Sequence, residues 1–91
     1  MNAFAKWLDT FLSEKGIDLD DTFTIETDAN THIFDYAAVA GAMKTTGARE
    51  QAAIKTMIVK IDFRNGDVRH YMRHLARALA ERADAAGDGV I

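Results

Sequence analysis

The absence of proline is the feature that most constrains how this chain folds, because only glycine and asparagine remain to interrupt a helix. Average usage predicts about four or five prolines in a chain of this length. Apolar residues of the N-terminal segment recur at three- and four-residue spacing, as in an amphipathic helix: Phe4, Trp7, Leu8, Phe11 and Leu12. The pattern predicts a first helix over residues 3–15, capped by Asn2 and ended by Gly16.

The apolar period changes to two over residues 18–34, which indicates strands rather than a helix. Phe23 and Ile25 alternate with threonine and glutamate, and the turn residues 28–30 separate them from a second short run, 31–34. The sequence therefore predicts a β-hairpin directly after the first helix.

Three further helices are predicted after the hairpin. Asp35 caps a short helix that runs to about Lys44, the next helix covers about residues 48–61, and the last extends from its cap, Asp67, to about Arg82. The third helix is expected to bury one face: Ile54, Met57, Ile58 and Ile61. The aromatic residues on apolar stripes are expected in the core rather than as stacking platforms for bases: Trp7, Phe11, Phe63 and Tyr71.

A chain of 91 residues and 10.0 kDa forms one small domain. The predicted class is α+β and mostly α, with about four helices, the hairpin, and an antiparallel helical pair at the C-terminal end. We expect residues 1–83 to form the single globular domain and residues 84–91 to form a flexible tail. Because the core of so small a domain is thin, a homo-oligomer, and a dimer in particular, is expected.

Several function classes are excluded or disfavoured by composition. The chain has no cysteine, so it holds no disulfide, zinc-thiolate site or thiol nucleophile. Ser13 is the only serine and lies in a helical segment, which argues against a Ser-His-Asp hydrolase. Apolar runs are too short for a membrane span, and neither a secretory signal nor a glycine-rich phosphate loop is present. We expect a cytoplasmic, non-enzymatic protein without a cofactor.

The net charge of −3 conceals two halves of opposite sign. Through Asp35, two lysines and eight acidic residues give −6, and from Tyr36 onward nine basic and six acidic residues give +3. The acidic patch comprises Asp18, Asp20, Asp21, Glu26 and Asp28. A calcium loop is excluded there, because Phe23 stands at the position of the required glycine. The alternatives are a solvated face and an electrostatic docking surface.

The basic stripe comprises Arg64, Arg69, Arg73 and Arg77. The last three lie four residues apart on one helix, a spacing at which like charges disfavour an isolated helix. Three interpretations are open: pairing with the chain's own acids, binding of nucleic acid or a nucleotide through phosphate, and contact with an acidic protein or a second subunit. A helix-turn-helix motif is disfavoured for two reasons: an antiparallel helical hairpin fits the short link equally well, and the net negative charge gives no long-range attraction to DNA.

His70 and His74 are also four residues apart, so both imidazoles can reach one metal ion. They are weak candidates, because Tyr71 stands where a metalloprotease requires glutamate. A third ligand, His32, is available only if the hairpin packs on the last helix. We predict no metal site.

Four segments resemble small proteins of bacteriophages and other mobile elements that have no assigned activity. They are FLSEKGIDL at 11–19, EQAAIK at 50–55, VKIDFRNGDV at 59–68 and RHLA at 73–76. The resemblance implies a protein that binds and blocks a host system, as anti-CRISPR proteins do, or that sequesters a cyclic-nucleotide signal. It implies no catalytic residues.

The function expected from these observations is inhibition of a host defence component through a charged surface. Either of two surfaces would serve: the acidic patch would occupy the nucleic-acid channel of a host defence protein by mimicking phosphates, or the basic stripe would hold an anionic ligand. The first alternative is a nucleic-acid- or nucleotide-binding module that uses the basic stripe, and the second is a structural helical oligomer.

Overall fold

A computed structural model describes residues 2–87 of the chain. Its elements follow in the order α1 (Ala3–Glu14), β1 (Thr22–Glu26), β2 (Thr31–Asp35), α2 (Tyr36–Lys44), α3 (Ala48–Phe63) and α4 (Val68–Ala85). The α+β, mostly α class with a hairpin after the first helix is confirmed.

The predicted caps form. The side-chain oxygens of Asn2 and Asp35 accept hydrogen bonds of 2.8 Å from backbone N–H groups three residues later, at the starts of α1 and α2. Asp67 accepts a bond of 2.9 Å from the Arg69 N–H and starts α4 in the same way. Gly16 ends α1 with a φ of +69°, a left-handed conformation that glycine adopts without strain.

The C-terminal boundaries differ from the sequence prediction. Helix α3 ends at Phe63 rather than 61, and α4 continues to Ala85 rather than Arg82. Asp84 therefore lies in a helix and not in the predicted flexible tail. Its carboxylate is held by side chains of the hairpin, which explains why the last turn of α4 forms. Residues 88–91 of the predicted tail lie outside the described residues.

The two strands pair antiparallel, with Phe23 opposite Phe34 and Ile25 opposite His32 on the inner face. Because side chains alternate across a strand, the other face carries Thr22, Thr24 and Glu26 of β1 beside Thr31, Ile33 and Asp35 of β2. The inner face packs on helices α2 and α4, so the outer face is directed to solvent.

The core lies where the helices meet, and its largest fully buried side chains are Leu8, Leu12, Val39, Ile58 and Met72. Helix α3 packs on α1, α2 and α4. After the short link 64–67 the chain reverses direction, so that α4 runs back along α3. Two expected core residues are exposed instead: Met57 and Phe63, the latter to 86 %.

Among residues 2–87, no helix is both long enough and apolar enough to cross a membrane.

Candidate functional site

The acidic patch lies on the hairpin and on the loop that leads into it, and all five of its carboxylates are exposed. Residues 16–43 contain six acidic residues and neither lysine nor arginine, so no neighbour in sequence neutralises the charge. Within the described part of the chain, none of the five lies within 4 Å of a cationic nitrogen. The patch therefore presents carboxylates without ion-pair partners to solvent.

Backbone hydrogen bonds fix the loop that carries three of these acids. The Asp18 side chain accepts a bond of 2.9 Å from the Asp20 N–H, which closes a tight turn. The first N–H groups of α2 donate to the loop: Tyr36 to the Asp21 carbonyl at 3.2 Å, and Ala37 to the Leu19 carbonyl at 3.0 Å. The loop thus satisfies orphan donors of the helix, and its position is set by α2.

Two exposed aliphatic side chains lie among the acids. Ile33, on the outer face of the hairpin, is 74 % exposed and stands opposite Thr24. Leu19 lies between Asp18 and Asp20 and is also exposed. Exposed apolar side chains with polar and charged neighbours are typical of a protein-binding surface, where the apolar groups become the buried centre. Ile33 was not among the residues predicted to bind a partner, although its alternation with Phe34 in the strand indicates that the two side chains lie on opposite faces.

Three arginines of the basic stripe already have partners within the chain. Arg69 Nε donates to the Asp67 carboxylate at 3.1 Å, and Arg77 donates to the Glu26 backbone carbonyl at 3.2 Å. Arg73 donates to the Tyr36 hydroxyl and, at 2.8 Å, to His70 Nδ1. Arg64 is not on α4 but caps the C-terminus of α3, so the four arginines do not share one helix.

The ion pair between Arg69 and Asp67 shifts the pKa of both side chains toward the charged form. The side-chain hydrogen bond from Arg69 holds the pKa of Asp67 below its usual range. The same bond raises the pKa of Arg69, with smaller contributions from the nearby Tyr36 and Asp21. The stripe therefore begins beside the acidic patch, and part of its charge is neutralised within the chain.

The two charged surfaces meet at a cleft between the hairpin turn and α4. Its lining includes Glu26 and Asp28 from the acidic patch, Arg77 from the basic stripe, and Glu81 and Asp84 from the end of α4. Because four carboxylates and one guanidinium group line this cleft, its net charge is negative. The electrostatic character of the acidic patch thus extends onto α4.

Asp84 anchors the hairpin to the last turn of α4. Its carboxylate accepts hydrogen bonds from the Thr27 hydroxyl, from Asn30 Nδ2 at 2.8 Å and from His32 Nε2 at 2.8 Å. The side chains of Asp84 and His32 are only 15 % and 11 % exposed. Bonds from Thr27, Asn30 and His32, in that order of effect, hold the pKa of Asp84 below its usual range.

We expect the stability conferred by Asp84 to depend on pH. A carboxyl group whose pKa is lower in the folded than in the unfolded chain stabilises the fold above its unfolded pKa of about 3.9, and that contribution disappears as pH falls through the folded value. Asp84→Asn should therefore lower the melting temperature at neutral pH, and its difference from wild type should shrink toward pH 3. Thermal unfolding across this range measures the effect. The control Glu81→Gln, one turn earlier, should give no such difference, and equal behaviour of the two variants would refute the anchor.

His70 and His74 are both exposed on α4. Although the hairpin does pack on this helix, His32 reaches Asp84, which lies about 15 Å along the helix axis from His74. No group of three potential metal ligands comes together among residues 2–87. His32 therefore lies too far from His74 to act as the third ligand of a metal ion bound by His70 and His74.

A separate apolar groove of about 630 Å³ runs between α2, α3 and α4. Its floor includes Val39, Met43 and Leu79, and Glu50 and Arg82 lie at its rim. No residue of the acidic patch or of the basic stripe lines it. The groove arises from helix packing and had no signal in the sequence.

Comparison of the chain with protein-family models, with curated proteins and with solved structures found no match.

Proposed function

We propose that this protein is a non-enzymatic inhibitor of the phage or mobile-element kind, which binds a host defence component through its acidic patch. The single observation that carries the proposal is that the five acids are exposed without ion-pair partners, while Arg69 of the basic stripe pairs with Asp67 and Arg77 lies in a cleft with four carboxylates. The acidic patch is thus the surface with the larger unsatisfied charge.

The proposed mechanism is occupation of a positively charged nucleic-acid channel. Carboxylates on a rigid loop and hairpin can take the place of backbone phosphates against the lysines and arginines of such a channel. Ile33 and Leu19 add apolar contacts that nucleic-acid phosphates lack, and these favour a protein partner over free cations. The site of action is the cytoplasm of the bacterial host, where such a component works.

A phage-plating panel tests this function. Bacterial strains, each carrying one defined defence system of known nucleic-acid-guided or nucleotide-signalled type, would express the chain and be challenged with a sensitive phage. We expect plating efficiency to be restored in at least one nucleic-acid-guided strain and unchanged in strains without a defence system. Restoration in none of them, with soluble expression verified, would refute the proposal.

The second candidate function is phosphate binding by the basic stripe. It is favoured by one observation: Arg73 and Arg77 donate only to uncharged groups, namely a phenol, an imidazole nitrogen and a backbone carbonyl. Neither guanidinium group forms an ion pair within 4 Å in the described part of the chain, although Arg77 shares its cleft with four carboxylates. A nucleotide or nucleic-acid phosphate is the ligand class that such a pair favours.

A fluorescence titration separates the two functions. Duplex DNA, single-stranded DNA and a panel of cyclic nucleotides would be titrated at low and high salt against wild type and against Arg73→Ala/Arg77→Ala. Salt-sensitive binding that the double variant loses would establish the second function, and absence of binding would leave the acidic patch as the functional surface.

A further inference from the structure

The outward face of α3 is an unpartnered surface that combines apolar and basic side chains. Phe63 is 86 % exposed, Val59 is half exposed and Met57 is also exposed. Among residues 2–87, the only other large apolar side chains that are exposed are Leu19 and Ile33. Three of the five therefore lie on α3, and the other two lie on the loop and hairpin that carry the acidic patch.

The geometry of α3 places cations among its exposed apolar residues. Successive residues of a helix are about 100° apart around its axis. Arg49, Lys60 and Arg64 therefore lie on the same side of α3 as the three exposed apolar residues, within an arc of about 160°. The buried Ile54 and Ile58 lie on the opposite side. This arc contains no acidic residue, and none of the three cations pairs with a carboxylate in the described part of the chain. We call this surface the α3 face. Ala52, Ala53 and Thr56 complete it and allow a partner to approach closely.

The acidic patch has the complementary chemistry. It offers carboxylates around exposed Ile33 and Leu19, whereas the α3 face offers cations around exposed Phe63, Val59 and Met57. The two surfaces lie on different segments, since the acidic patch falls within residues 18–28 and the α3 face within residues 49–64. One molecule can therefore use both surfaces at once.

We propose that the α3 face is a docking site for the acidic patch of a second copy of this chain. The contact is heterologous, so each copy uses its α3 face toward one neighbour and its acidic patch toward another. It buries all five exposed large apolar residues, and it sets the three cations of the α3 face against the five carboxylates of the acidic patch. Self-association of this kind covers the acidic patch and so competes with any other partner of that surface.

Two double variants test the arrangement. In each, one apolar and one charged side chain are replaced by uncharged polar ones, so that no new attraction is created. The first, Ile33→Ser/Glu26→Gln, weakens the acidic patch and leaves the α3 face intact. The second, Phe63→Ser/Lys60→Gln, weakens the α3 face and leaves the acidic patch intact. All four positions are exposed, and circular dichroism verifies that both variants remain folded. Sedimentation velocity would be run on wild type, on each variant and on their equimolar mixture.

We expect wild type to associate as concentration rises to the high micromolar range, with weaker association at high salt. Each variant alone should lose affinity by about tenfold or more, since an apolar anchor and a charge are removed. The equimolar mixture should form a 1:1 heterodimer that grows no further, because only one pair of intact surfaces remains. Three results would each overturn the proposal: monomeric wild type throughout, wild-type association by either variant alone, or a mixture that stays monomeric.

This experiment contains no host component, so its failure and the failure of the proposed function are distinguishable. A chain that restores phage plating but stays monomeric retains the function without the self-docking. A chain that associates as described but protects no phage has the reverse outcome.

Discussion

Replacing Leu8 by alanine is expected to lower the free energy of unfolding by about 2–5 kcal/mol. Leu8 is fully buried where α1 meets the other helices, so its truncation removes apolar contact and leaves a cavity that the rigid core fills only in part. For a domain of this size, each kcal/mol corresponds to about 4–8 °C in melting temperature. Chemical denaturation of the variant and of wild type measures the loss directly.

Leu19→Ala provides the matched control, because the same atoms are removed from a side chain that is exposed in the acidic loop. Leu19 is 36 % exposed, so its truncation should cost clearly less than that of the fully buried Leu8. Equal losses at the two positions would contradict the assignment of Leu8 to the core. If Leu19→Ala stays folded but weakens binding, Leu19 acts at the binding surface, as proposed.

The second large effect concerns the defence component that the plating panel identifies. Asp20→Lys/Glu26→Lys should weaken the affinity of the purified chain for that component about a hundredfold or more. Each reversal replaces an attraction to a basic channel by a repulsion, and close charge pairs across protein interfaces couple by about 1.5 kcal/mol or more, or about tenfold each. Isothermal titration at fixed salt gives both affinities.

Glu14→Lys/Glu50→Lys is the control for that experiment. It changes the net charge by the same amount at two exposed positions outside the acidic patch. We expect its affinity to remain within a few-fold of wild type. If the control weakens binding as strongly as the patch variant, net charge rather than the acidic patch governs the interaction.

The elements of the fold were predictable because each has a local signal. The three- and four-residue apolar spacing of α1, the alternation around Phe23 and Ile25, and the caps Asn2, Asp35 and Asp67 all act within a few residues. The acidic patch was also predictable, since exposed carboxylates need only a local excess of acids on a surface loop and hairpin.

The contacts between elements were not predictable in this way. Asp84 meets Thr27, Asn30 and His32 across more than 50 residues of sequence, and this depends on the angle at which the hairpin packs on α4. The same packing brings Arg77 to the Glu26 carbonyl. The periodicity of α3 was ambiguous, because apolar residues occur around the whole helix and Met57 and Phe63 resemble core positions in sequence alone.

Competition between nucleic acid and this chain for the inhibited defence component tests the central claim most directly. The complex would be titrated with the nucleic acid that the component normally binds, labelled with a fluorophore, and anisotropy would report its occupancy. Occupation of the channel by the acidic patch predicts mutually exclusive binding, with displacement that weakens in Asp20→Lys/Glu26→Lys and persists in Glu14→Lys/Glu50→Lys. A stable ternary complex, in which nucleic acid and the chain bind together, would contradict it.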